Sequence, residues 1–282
     1  MNRLTLAAAS AAALITLAIT PALAGPVEKH GDGFVSLAAG AGSAAFADDG
    51  TTFRGMSLEG AASAQYDVTA LLGFQGDLIV RSQTYTDVID LTEWSFDGAL
   101  HSFTRDSQKY LLGGFVQVGR DGFLVNGERS TYEIGRTYAG IEGQVFLDKL
   151  TLYGQAGATQ LAYPGLQETG WFANAEARYF LTPDFKLEAH VGGDRLSSTG
   201  QFLGETDTVR LGIGAEYRLP EAPFSLFAKY DYTHQMFGGT FGYNDNRVVA
   251  GIKFNIGGDT LLARDRSGAS LKPIDSVQQY SD

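Results

Sequence analysis

A few side chains have the chemistry for catalysis or ligation, and their spacing decides what each can do. A lipid hydrolase needs a serine and a histidine within hydrogen-bond reach, with a carboxylate to orient the ring. His234 and Asp207 fall at similar heights on successive strand-like segments, but the nearby serines, Ser197 and Ser198, occupy a loop. A histidine at a wet rim accounts for His234 more simply, so no catalytic residue is expected. Asp48-Asp49-Gly50 and Asn244-Asp245-Asn246 offer the oxygen ligands calcium prefers without the spacing of a ligand loop, and they read as turns. His101 and His190 point inward singly, which is a weak case for a metal.

Composition removes further chemistries. The 282 residues include no cysteine, so a disulfide scaffold, an iron–sulfur cluster and a zinc finger are excluded. Against 21 basic residues stand 32 acidic ones, a net charge of −11, the opposite of what nucleic-acid phosphates attract. No glycine-rich stretch opens a helix, so a nucleotide site has no support. The expectation is a protein that is not an enzyme, with no cofactor, no metal and no nucleic-acid partner.

The remaining charges are ordered with period two. From Met56 to Val68, alternate residues form one set without a polar side chain and a second, mostly polar set that includes Glu59. A strand sends successive side chains to opposite faces, so such a segment separates an oily face from a wet one. Asp77 and Arg81 oppose Leu72, Phe74, Leu78 and Val80 in the same manner. Glu142 opposes Ile141 and Val145, while Glu176 and Arg178 oppose Ala175, Ala177 and Tyr179. Lys186 and Glu188 alternate with Phe185, Leu187 and Ala189, and Arg210, Glu216 and Arg218 alternate with Leu211, Ile213 and Tyr217. Lys229 lies between Ala228 and Tyr230, and Lys253 between Ile252 and Phe254. Segments 96–105, 109–119 and 150–161 follow the alternation less cleanly, and 33–46 is rich in Gly and Ala.

Short turns near Asp67, Ser107, Asp148, Pro183 and Glu221 interleave with longer loops over roughly 47–55, 83–95, 120–130, 162–169, 196–206 and 235–245. Five turns and six loops imply twelve strands. Their layout predicts an all-β chain, a transmembrane antiparallel up-and-down barrel with short periplasmic turns and longer extracellular loops. Tyr66, Tyr110, Tyr179, Phe185, Tyr217, Phe224 and Phe254 lie on the oily set near a short turn or the last strand's end. That is the placement of an interfacial aromatic belt.

The N-terminus is expected to be a signal peptide over 1–24. Arg3 gives a positive start, Leu4–Ile19 is uncharged, and Pro21-Ala22-Leu23-Ala24 suits cleavage. The barrel would occupy 25–256.

Tyr138-Ala139-Gly140-Ile141-Glu142-Gly143-Gln144 and Leu152-Tyr153-Gly154-Gln155-Ala156-Gly157, with the leader and the alternation, resemble Gram-negative outer-membrane porin-like barrels over roughly 33–256. The resemblance implies residence in the outer membrane, contact with its lipid, and a last strand read by the barrel insertion machinery. Gly251, Phe254 and Ile256 resemble that signal, yet the chain continues to Asp282. The stretch 257–282 is expected as a polar periplasmic tail, with an anchor or a plug entering the lumen as the alternatives. A passenger-exporting autotransporter is disfavoured, because little chain separates the leader from the first strand.

Glu59, Asp77, Arg81, Glu142, Glu176, Arg178, Lys186, Glu188, Arg210, Glu216, Arg218, Lys229 and Lys253 are therefore the candidates for lining a pore. With Asp67, Arg105, Asp194 and Asp231 added, acids and bases nearly balance. The expected function is passive diffusion of small polar solutes. The alternative is a lumen closed by salt bridges, with loops 83–95, 120–130 and 235–245 binding a ligand or surface. Homo-oligomerisation stays open, with 33–46 as the wall that would meet a neighbour.

Overall fold

The computed structural model describes residues 31–46, 50–69, 71–85, 91–125, 128–198, 204–239 and 241–275. The expected signal peptide lies outside them. β1 (Gly31–Phe46), β2 (Thr52–Asp67), β3 (Leu72–Tyr85) and β4 (Leu91–Asp106) open a meander. It continues through β5 (Tyr110–Val125), β6 (Glu128–Leu147), β7 (Leu150–Tyr163) and β8 (Leu166–Thr182). β9 (Phe185–Ser198), β10 (Glu205–Arg218), β11 (Phe224–Phe237) and β12 (Phe241–Ile256) complete the wall. Each strand pairs antiparallel with its sequence neighbours, and β1 pairs with β12 from Gly33 opposite Ile256 to Phe46 opposite Tyr243, closing a twelve-stranded barrel.

The period-two pattern is the cause of this wall. Its oily set faces outward, where Met56 is 70% exposed and Leu37 65%, while the polar set faces a closed interior in which His101 and Gln117 have no exposed surface. Closure removes the unpaired edge that an open sheet of this length would present. Among the described residues, register shifts occur in the β5–β6 pair near Gly122 and Leu124 and in the β8–β9 pair near Phe180 and Thr182.

The strands run further at the loop end than turn-type residues suggest. β11 and β12 are joined through 238–240 and β5 and β6 through 126–127, so most of 235–245 and 120–130 is ladder rather than loop. Asn244 and Asn246 explain why. Instead of making a turn, their side-chain oxygens accept from Tyr232 Oη and Tyr230 Oη, each at 2.7 Å, across the β11–β12 pair. Residues with turn chemistry thus become cross-strand acceptors.

The stretch 257–275 does not trail away from the barrel. Gly257 (φ +72°) and Gly258 (φ +57°) turn the chain back into the lumen, in a backbone region that L side chains rarely adopt. A short helix, α1 (Leu261–Ser267), follows, and the chain continues extended and largely buried to Asp275. This corrects the expectation of a polar periplasmic tail for 257–275. Residues 276–282 lie outside the described part.

Candidate functional site: a barrel lumen shared with the C-terminal segment

The inserted segment is held first by its helix. Thr260 Oγ1 caps α1 by accepting from Ala263 N at 3.0 Å. Arg264 reaches Glu216 on β10 at 2.7 Å and also bonds Asn255. Asp265 accepts from Arg178 at 2.8 Å and from Thr151 Oγ1. Asp32 receives the Ala269 N–H at 3.1 Å, which fixes the chain where the helix ends.

Beyond α1, glutamines of the wall read the extended backbone. Gln75 donates to Leu271 O at 2.8 Å and accepts from Leu271 N at 3.1 Å. Gln117 treats Ile274 alike, at 3.0 Å and 2.6 Å. Gln144 donates to Ser270 O, and Gln155 to Lys272 O. A carboxamide carries the same donor and acceptor as a peptide group, so these side chains replace the missing partner strand.

Between those contacts two aliphatic side chains dock. Leu271 packs with Phe103, Leu111, Phe146 and Tyr153. Ile274 packs with Phe115, Tyr138 and Phe172. Burying each contributes about 1.5–3 kcal/mol. These pockets open into the lumen from β4 to β8 and occupy one side of it.

Beside these pockets the lumen stays open. A cavity of about 230 Å³ is bordered by Glu59, Lys186, Glu188, Glu216, Lys229 and Lys253 of the wall and by Leu271, Lys272, Pro273 and Asp275 of the segment. Its charges pair in cross-strand register. Glu59 lies opposite Arg81 at 3.0 Å and also takes Lys229 at 3.2 Å. Lys186 faces Glu216 at 3.2 Å and reaches Glu188 at 2.9 Å, and Lys253 joins Glu216 at 3.0 Å. Lys272 adds bonds to Glu176 at 2.8 Å and Glu188 at 3.2 Å.

A second cavity, about 50 Å³, lies toward the loop end, where Gln83, Tyr85, Glu93 and Tyr243 border it. The two cavities share Glu59, Arg81, His190, Arg210, Asp231 and Asp275. At that junction Asp275 spans Arg81, 2.8 Å away, and Arg247, 3.3 Å away. Burial alone would raise the Asp275 carboxyl, but Arg81 and Arg247 overcome it and hold the group well below the usual carboxylate range.

Of the thirteen pore-lining candidates, Glu59, Asp77, Arg81, Glu176, Lys186, Glu188, Arg210, Glu216, Lys229 and Lys253 border the larger cavity. Glu142, Arg178 and Arg218 do not border it. Glu142 bonds His101 and Tyr153, each at 2.7 Å, and Asp77 meets the other ring nitrogen of His101 at 3.0 Å. Arg178 is taken up by Glu176, Asp265 and Ser270 O, and Arg218 donates to Gly258 O. Each is drawn away from open space by groups that hold or support the inserted segment. The residues missed are those of the segment itself, Arg264, Asp265, Lys272 and Asp275, together with the glutamines that bind it.

On the outer face, Tyr66, Tyr110, Tyr179, Tyr217, Phe224 and Phe254 are exposed, and Phe185 is half-buried. They lie at the turn end, where Phe185–Tyr217 and Phe224–Phe254 form edge-on pairs with centroids 6.2 and 5.4 Å apart. His234 lies in ladder register with Val209, two residues from Asp207, and its Nδ1 bonds Asn244 Oδ1 at 2.8 Å. Asp207 contacts Arg195 instead, at 3.6 Å.

No protein-family model and no curated protein matches the sequence. Solved structures do match in shape. The translocator domain of the autotransporter NalP from Neisseria meningitidis superposes with a TM-score of 0.55 at 14% identity, covering 89% of this chain and 95% of that one. An outer-membrane channel from Pseudomonas putida gives a TM-score of 0.55 at 10% identity, covering 84% of this chain and all of that one (100%). With the closed twelve-strand wall, its oily exterior and its charged interior, these likenesses give the chain the fold of the Gram-negative outer-membrane β-barrels.

Proposed function

We propose that the protein is an outer-membrane channel for small polar solutes, narrowed by its own C-terminal segment. The observation that carries this reading is the one-sided filling of the lumen. The extended stretch docks its aliphatic side chains on β4 to β8 and leaves a cavity of about 230 Å³ bordered by charges of β2, β3 and β8 to β12. A wall built only for rigidity has little use for so many ionisable groups around a void, whereas a hydrated path does. On this reading residues 1–24 direct export and are removed, the insertion machinery reads the end of β12, and the turn end faces the periplasm. The oily face meets lipid, and no covalent chemistry is performed.

The ion-pair junction at Asp275 favours a second reading, a barrel closed in its resting state that serves as a surface scaffold. Planar-bilayer recording separates the two. The full chain should give stepwise currents, and Ile274→Asp, which expels the segment from its apolar pocket, should give larger steps. Silence of both proteins at high concentration would reject the channel.

A further inference from the structure

We propose that Arg81 and Arg247 form an anion site across the solute path, that Asp275 fills it as a tethered stand-in, and that the solutes which cross are small carboxylates. This inference rests on the channel reading and assigns its substrate class.

The geometry is that of a built carboxylate site. Arg81 on β3 and Arg247 on β12 are separated in the wall by β2 and β1, yet their guanidinium groups converge on one carboxylate. Arg81 takes Oδ1 at 2.8 Å and Arg247 takes Oδ2 at 3.3 Å. Planar guanidinium groups suit this shared, two-oxygen recognition better than point charges do. The junction also lies where the two cavities meet, so a solute moving from one to the other passes it.

The two guanidinium groups on one carboxylate give the sign. Around the junction the bases Arg81, Arg247 and Lys229 meet the acids Glu59 and Asp231, with Asp245 and Glu93 also bordering the smaller cavity, and Arg210 beside them is paired with Asp194. Withdrawing the chain's own carboxylate frees the two guanidinium groups that converge on it, and another carboxylate can take its place. Spare donors belong to side chains that border the junction. Arg81 Nη1, Arg247 Nε and Arg210 Nη1 are buried with no hydrogen-bond partner, and Arg81 and Arg210 are only 8% and 7% exposed as residues. Buried donors left unmade are costly, so a visiting carboxylate gains bonds that Asp275 alone does not supply.

Asp275 is suited to yield its place. Its neighbour Ile274 is fixed by Gln117 and the aromatic pocket, whereas Asp275 is held by the two arginines. A free carboxylate can therefore compete for the arginines while the rest of the segment stays docked.

The test is zero-current potential and block, recorded on the full-length protein across a potassium chloride gradient. Asp275→Asn should raise chloride-over-potassium permeability several-fold, and millimolar succinate should then block the chloride current saturably. Adding Arg81→Gln or Arg247→Gln should abolish both effects. Arg81→Lys keeps the charge without the fork, so it should keep the chloride preference and lose most of the succinate block. Currents with a permeability ratio unchanged by Asp275→Asn would overturn the anion site and leave the channel standing. Block by inorganic phosphate stronger than by succinate would overturn the assignment to carboxylates. Silence throughout, Ile274→Asp included, would remove the channel reading and this inference with it.

Discussion

The two sides of the lumen solve different problems with the same strand geometry. From β4 to β8, with Gln75 of β3 beside them, inward aromatics and glutamines hold a peptide by shape and by backbone hydrogen bonds. From β9 around through β12 to β3 the inward positions carry charges that pair across strands and border a cavity. The first side is close-packed, and the second is charged and leaves open space. Fixing the C-terminal segment is therefore separated in space from the path beside it, so either can change without dismantling the barrel.

This contrast ranks the effects of substitutions, read as protection of the segment from a protease. The largest belongs to Ile274→Ala, which empties a buried aromatic pocket and should weaken docking by about 2–5 kcal/mol. Wild-type protection in that variant would mean that the close-packed side contributes little. Gln117→Leu comes next, because both Ile274 backbone groups lose their partner, at a cost of about 1–3 kcal/mol. Lys272→Ala on the charged side should change protection least, by about 0–1 kcal/mol, since its side chain is 38% exposed. If Lys272→Ala released the segment more readily than Gln117→Leu, the assigned roles of the two sides would be reversed.

Acidity sharpens the same comparison. The Asp275 carboxyl is depressed in the folded chain, so its contribution is complete above the ordinary aspartate value of 3.8 and fades as pH falls below it. Protection should hold from neutral pH down to that value and then decline near Asp275 first, while the contacts of Leu271 persist. Hydrogen exchange resolved by residue would show the order. Simultaneous loss at both positions would contradict the separation.

The wall was legible because period two is set by lipid outside and water inside, and Met56–Val68 displays it without interruption. The poorly alternating segments 96–105, 109–119 and 150–161 were the trace of the inserted chain. Phe103, Leu111, Phe115 and Tyr153 point inward where polar residues were expected, because they receive Leu271 and Ile274. The partner itself could not be read. Its contacts join residues more than a hundred positions apart, as in Gln117 with Ile274, and a short helix followed by an extended strip has no period of its own. Loop lengths were overestimated for a related reason, since Asn244 and Asn246 look like turn residues until their tyrosine partners on β11 are known.

The glycine pair at 257–258 has a topological consequence. The chain doubles back at the same rim where β12 finishes, so the segment it delivers never passes between β1 and β12. It can be withdrawn and replaced from one side of the bilayer with every rung of the cylinder intact. Assembly can accordingly seal the seam first and insert the final residues into the lumen afterwards from that rim.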